Sequence, residues 1–361
     1  MTGQSSPRPV ARGAPTITIA GRHIGADYPC FVIAEAGSNH NGNLQQATAL
    51  IDVAAVAGAD AVKFQLFRAS KLYPRNAGPS GYLRSSTPIY EIIAAMEMPY
   101  EWLPELAGHA ASRDITFLAT PFDEESADAL DPYVGAFKIS SYEMTHLPLV
   151  GHLARKGKPL IISTGTATLD EVAVTVDECR RLGNGMLALL QCTAAYPATL
   201  DALNIRALAT LAERFDVPVG LSDHSRDPIV APIAAVACGA SIIEKHFTVS
   251  NDLPGPDHRF AVEPAELRQM IERIRETERA LGTGEKTVDP VEHELRAFAR
   301  RSVFAIRPIA AGELFTVDNV AVLRCGTCAP GLAPAEYRRV LGCRAARAIA
   351  AETSVQAEDM V

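Results

Sequence analysis

Eight short apolar runs recur between residues 28 and 283, separated by stretches of helical periodicity, and this rhythm constrains the fold more than any other feature of the chain. The runs are FVIAE at 31–35, AVKFQ at 61–65, ITFLA at 115–119, AFKIS at 136–140, PLIIS at 159–163, MLALLQC at 186–192, VPVGLS at 217–222 and SIIEKH at 241–246. Each is continuously apolar rather than alternating, the pattern of a parallel strand covered on both faces. Helical stretches at 44–58, 101–112, 168–182, 204–215, 228–239 and 264–281 separate or follow them. Eight strand–helix units in about 250 residues predict an α/β fold, an eight-stranded β/α (TIM) barrel. A doubly wound open sheet is the alternative, weakened because no G-x-G-x-x-G follows the first run.

From 284 the rhythm breaks. Residues 284–301 read as a charged linker, and 302–361 as a small β-rich domain of short runs such as SVFAI and VAVL separated by turn signals. A domain of this size buries little core alone, so it is expected to lean on the barrel or on a second subunit. Residues 1–27 read as a mobile N-terminal tail.

Charge excludes some partners. A net charge of −8 and a pI near 5.6 argue against nucleic acid and anionic membrane, both of which select basic surfaces. No apolar run approaches the roughly 18 residues that span a bilayer, and the N-terminal residues lack a secretory apolar region. Seven cysteines, an odd number mostly set in apolar runs, fit a reducing cytoplasm. Cys325 and Cys328 form a lone C-G-T-C without a second pair, and read as two reduced loop thiols.

In a β/α barrel, chemistry gathers at the C-terminal strand ends. Here those ends carry Glu35, Asn39 and His40; Lys63 and Gln65; Thr120; Lys138, Ser140 and Ser141; Ser163 and Thr164; Gln191, Thr193 and Tyr196; Ser222, Asp223 and His224; Glu244, Lys245 and His246. His224 and His246 end neighbouring strands and are either two ligands of one divalent metal or two hydrogen-bonded pocket histidines. Lys63, Lys138 and Lys245 could bind phosphate and carboxylate as point charges, or one could form a Schiff base. Glu35 either pairs a buried lysine or acts on a substrate hydroxyl or water. The stretch NHNGN at 39–43 suits a helix cap better than a metal site. Glu244 and Lys245 could be no more than a structural ion pair.

The ordered motifs IAEAGSNHNGN, AVKFQ, ATPFD, FKISS, ISTGTATLDE, QCTAAYPA, VGLSDHS, IIEKHFT and PGPDH resemble those of the N-acetylneuraminate (sialic acid) synthase family, which includes pseudaminic and legionaminic acid synthases. ARRSVFAI and AAGELFTVDNVAVLR resemble its C-terminal antifreeze-like (SAF) domain, so the resemblance runs from about residue 28 to the end. It implies a TIM barrel plus SAF domain in a domain-swapped homodimer. It also implies condensation of phosphoenolpyruvate with an open-chain N-acylated hexose, aided by Mn²⁺ or Mg²⁺. By motif, His224 and His246 resemble the metal ligands and Glu35 the carboxylate near the reacting carbon. Lys63, Gln65, Thr120, Lys138, Ser141, Ser163 and Ser222 resemble the phosphoenolpyruvate site. Glu143, Tyr196 and Asp257 resemble sugar contacts, and Arg324 the residue that reaches across the dimer to the N-acyl group.

The chain departs from the family pattern at Gln191-Cys192-Thr193, where His-Cys-Thr is usual, at Ala194, and at Arg324-Cys325-Gly326, where Arg-Pro-Gly is usual. Tyr142 stands where sialic acid synthases carry glycine and pseudaminic acid synthases a bulky aromatic. These differences leave the sugar open. A Schiff-base aldolase, condensation on a phosphorylated or unusual aldose, and a barrel kept only as a binding protein are the competing readings.

Overall fold

In the computed structural model, which describes residues 14–81 and 86–361, the eight runs are the strands of one parallel sheet. Two strands precede it, β1 (Ile17–Ile19) and β2 (Arg22–Ile24). The sheet comprises β3 (Phe31–Gly37), β4 (Ala61–Leu66), β5 (Thr116–Pro121), β6 (Phe137–Ile139), β7 (Leu160–Ser163), β8 (Leu187–Cys192), β9 (Val219–Asp223) and β10 (Ile242–His246). Its order is β5-β4-β3-β10-β9-β8-β7-β6. The hydrogen-bonded ladder breaks only between β5 and β6, which lie side by side, so the sheet is a nearly closed barrel. The expected TIM-type barrel is what forms.

Strand periodicity sorts every side chain to one of two layers. Val32, Val62, Phe117, Phe137, Ile162, Leu189, Leu221 and Ile243 point outward and join the large core beneath the helices. Phe31, Ile33, Ala61, Leu118, Ile161, Leu190 and Ile242 point inward and fill the lower barrel with an apolar plug. The helices dock through apolar faces: Leu44–Ala57 buries Ala47, Leu50, Ile51 and Ala54. Asn43, the last residue of NHNGN, caps it as expected, its side chain accepting the Gln46 N–H at 3.1 Å. On β9, Gly220 faces inward where a Cβ would stand 2.3 Å from the Ile242 carbonyl, so only glycine lets β9 and β10 approach there.

The expected mobile tail needs correction within the described residues. Residues 17–24 form an antiparallel hairpin rather than a mobile segment. Ile17, Ile19 and Ile24 alternate inward and join the lower-barrel plug, so the hairpin closes the barrel's N-terminal end. Arg22 clamps it by an ion pair to Asp60 at 2.6 Å. The rest of that tail, residues 1–13, lies outside the described residues.

The chain divides between Thr283 and Gly284. In the second unit, strands β11 (Arg301–Ala305) and β12 (Val320–Arg324) pair antiparallel. They sit on their own core of Val303, Phe315, Val320, Val340, Ile349 and Val355. The stretch read as a linker contains a helix, His293–Ala299. All seven cysteines are free, and Cys325 donates its S–H to Ser302 Oγ at 3.3 Å.

Ile19 is fully buried, so Ile19→Ala should lower the unfolding free energy by about 2–5 kcal/mol. Urea denaturation checks this, and an unchanged midpoint would show that the hairpin is not part of the packed barrel.

Candidate active site

The same alternation that makes the plug makes the mouth above it. Moving up each strand, the inward positions after the apolar layer are Glu35, Lys63 and Gln65, Thr120, Lys138, Ser163, Cys192, Ser222, and Glu244 with His246. All but Cys192 line a cavity of about 230 Å³, shared with Ser141, Tyr196, His224 and Asp257 from the following loops; Cys192 touches Ser141 and His224 of that lining.

Four buried charges dominate it. Lys63 Nζ lies 2.7 Å from Glu35 Oε2 and 3.7 Å from Glu244 Oε2, while Lys138 Nζ lies 3.5 Å from Glu244 Oε1. All four side chains are at most 5% exposed. Hydroxyls and an amide complete the set. Lys63 donates to Thr120 at 3.1 Å and Lys138 to Ser163 at 2.7 Å. Ser222 donates to Glu244 at 3.0 Å and Gln65 to Glu35 at 3.1 Å. Burial works against the charge on Lys63, but Glu244 and Glu35 outweigh it and hold its pKa above the usual lysine range. Burial prevails at Lys138, whose pKa is lowered. Burial likewise raises Glu35, whereas Lys138 and Lys63 overcome it at Glu244 and keep that carboxyl low.

The second feature is a histidine pair. The His224 and His246 rings stand 5.3 Å apart between centroids, with the Tyr196 ring tilted against His224 at 4.3 Å. His224 donates its Nδ1–H to the Thr193 carbonyl at 2.9 Å, which fixes its tautomer. His246 Nδ1 is buried with no hydrogen-bond partner among the described residues, and Asp257 Oδ2 lies 3.9 Å away. Burial pushes the His246 pKa well below the usual histidine value, so its ring is neutral. It also raises Asp257 to about 6, although 22% of that side chain still meets solvent. Ser141 is pinned by the Gly165 N–H at 3.0 Å, close to Cys192 Sγ at 3.4 Å.

One expected sugar contact falls elsewhere. Glu143 does not line the cavity; its carboxylate turns back to accept the Ser140 hydroxyl. Arg324 is an exposed residue at the end of β12 in the second unit. Lys245, counted with the mouth lysines, points the other way into a buried pair with Asp223 at 2.6 Å. Gln191 and Thr193 tie down the loop around Leu203 rather than entering the cavity. Sequence reasoning placed Glu244 at a strand end but left it as a structural partner of Lys245, whereas it faces Lys63 and Lys138. The signal was available, because Glu244 and His246 are two apart on one strand and share its face. Sequence reasoning missed Ser38, a cavity residue whose buried hydroxyl has no partner among the described residues.

A barrel whose mouth presents two lysines, two carboxylates, a row of hydroxyls and a histidine pair is that of an enzyme for a small anionic substrate. The chain belongs to the NeuB family, whose model matches residues 50–286, and a SAF domain matches 300–361. It is 42% identical over 360 residues to the spore coat polysaccharide biosynthesis protein SpsE of Bacillus subtilis strain 168, covering 95% of this chain and 96% of that one. It is 41% identical to the N,N'-diacetyllegionaminic acid synthase of Legionella pneumophila, covering 92% and 94%. The crystal structure of N-acetylneuraminic acid synthetase from Leptospira borgpetersenii, in complex with citrate, superposes with a TM-score of 0.71 at 32% identity, covering 78% of this chain and 95% of that one.

Glu244 is the counter-charge for both mouth lysines. Glu244→Gln should therefore destabilise the barrel by about 3–5 kcal/mol, because it leaves buried charge uncompensated. The double variant Glu244→Gln/Lys138→Met should lose less than the sum of its parts, with a coupling of about 1–3 kcal/mol in a denaturation cycle. Strict additivity would mean the pair does not interact.

Proposed function

We propose that this mouth joins phosphoenolpyruvate to the open-chain form of an N-acylated hexose, giving a nine-carbon 2-keto sugar acid and inorganic phosphate. The observation that carries the reading is a single cavity holding both a lysine–hydroxyl floor and a histidine pair with an unpartnered ring nitrogen. Family membership supports it, as does the name of the Legionella relative.

Lys63 and Lys138 are the point charges for phosphate and carboxylate, and Gln65, Thr120, Ser141, Ser163 and Ser222 offer donors to the remaining oxygens. In the reaction, C3 of phosphoenolpyruvate bonds to the aldehyde carbon, a water oxygen adds at C2, and the C2–O bond to phosphate breaks. The two water protons end on the new sugar hydroxyl and the departing phosphate. Glu35, oriented by Gln65 and Lys63, is the group placed to move the first of them. Tyr196 and Asp257 border the sugar; Glu143 reaches it only if its bond from Ser140 opens.

The histidines fit a divalent cation, Mn²⁺ or Mg²⁺. His246 is neutral with an unpartnered nitrogen, the His224 tautomer is fixed, and the Asp257 carboxylate is adjacent. Among the described residues no third ligand completes a set, which leaves positions for water and substrate oxygen. Bound there, the cation would supply Lewis-acid polarisation of the aldehyde and orient a water.

We infer further a cytoplasmic homodimer, with Arg324 serving the N-acyl group. Among the described residues no helix is long and apolar enough to cross a membrane.

His246→Ala should abolish divalent-cation-dependent phosphate release while the thermal melt stays cooperative; full activity in excess chelator would sink the metal assignment. Lys138→Ala should raise the KM for phosphoenolpyruvate about tenfold to a hundredfold, since a hydrogen bond to a charged group is worth about 1.5–3 kcal/mol. Covalent trapping by borohydride with pyruvate would instead establish the aldolase, for which the lowered pKa of Lys138 is the one supporting observation.

A further inference from the structure

We propose that Lys245 is a positioning residue for the histidine pair, holding His224 in place against His246 from behind the barrel wall. The inference rests on the divalent-cation reading of that pair. It assigns the spacing of the two candidate ligands to a side chain that never enters the cavity.

Ion pairing with Asp223 does not by itself account for Lys245. An ammonium has three N–H donors, and Asp223 Oδ2 takes one of them at 2.6 Å. The backbone carbonyls of Ser225 and, at 2.9 Å, of Asp227 are its other close acceptors. These three acceptors straddle His224 in the chain, one before it and two after it. Asp223 tightens the same turn, accepting the Ser225 N–H at 2.8 Å and the Ser225 hydroxyl at 3.1 Å. Strand β9 ends at Asp223, so the residues from His224 onward lie past its last rung. On the side of β8 they are held by Ala198, whose N–H donates to the His224 carbonyl at 3.0 Å. On the side of β10 the Lys245 ammonium takes that part.

Register gives the clamp its consequence. Lys245 and Asp223 are partners in the β10–β9 ladder, so His246 and His224 are the next residues on two adjoining strands. Lys245 is joined to His246 through the backbone and to both flanks of His224 through its ammonium. It is a strut between the two ligands. Period two keeps the strut out of the mouth, because Lys245 faces outward where His246 faces inward. Its side chain is 1% exposed, and in that setting each bond it makes to a carbonyl resists displacement more than it would in water. Groups that orient metal ligands are worth about 10–100-fold in metal affinity.

The test measures Mn²⁺ binding to the full chain without substrates, following free Mn²⁺ by its electron paramagnetic resonance signal. Asp223→Asn/Lys245→Met removes the clamp and both charges together, so that no unpaired ion stays buried. Its Kd for Mn²⁺ should rise about tenfold to a hundredfold. Its Kd for phosphoenolpyruvate, titrated calorimetrically at saturating Mn²⁺, should stay at the wild-type value, because Lys63 and Lys138 stand on other strands. Lys245→Arg serves instead if the double variant does not melt cooperatively. It keeps a cation opposite Asp223 but replaces the compact ammonium with a planar fork, and the same rise is expected. An unchanged Mn²⁺ Kd in a cooperatively melting variant would leave the pair a purely structural one and overturn the proposal. So would a phosphoenolpyruvate Kd that rises in step with the Mn²⁺ Kd, since the whole mouth would then be distorted. A wild-type chain that binds no Mn²⁺ overturns the cation reading, and this proposal with it.

Discussion

Everything in the barrel's upper half depends on a cancellation. Two ammonium groups and two carboxylates are sealed where water cannot stabilise them, and each is tolerable only because the others are within a few ångströms. Glu244 is the hinge of the set, since it faces both lysines while Ser222 holds it in place. The arrangement is neutral as it stands. A doubly charged anion arriving at the lysines meets donors that are already oriented and desolvated, so little reorganisation remains to be done.

The cancellation follows from period two. The inward positions of the same strands supply first the apolar plug and then the ring of polar groups, so core and site are successive layers of one pattern. The outward positions obey the same rule: Asp223 and Lys245 lie between sheet and helices, paired with each other and insulated from the mouth. One slip in register would put Lys245 in the cavity and Glu244 against the helices.

This explains what could be read from the chain and what could not. Doubly covered strands leave continuous apolar runs, so FVIAE, PLIIS and SIIEKH announced a parallel barrel, and their polar ends located its mouth. The facing of adjacent ionisable residues was harder, because Glu244, Lys245 and His246 look alike until strand phase is applied to them. The hairpin at 17–24 was obscured because strands of three residues carry too little periodicity to stand out beside a Pro/Gly/Ser-rich stretch. Ile89, Ile92, Ile93 and Met96 of IYEIIAAM line the cavity, but their stripe resembles ordinary helix core, and nothing in its spacing tells a buried face from one lining a cavity. Glu143 was misplaced because Ser140, three residues earlier, competes for its carboxylate.

Among the described residues, the hairpin's three isoleucines fill the lower barrel, and the cavity that holds the lysines and histidines lies at the other end of the strands. A segment of eight residues that carries none of the reactive groups thus decides from which end of the barrel those groups are reached.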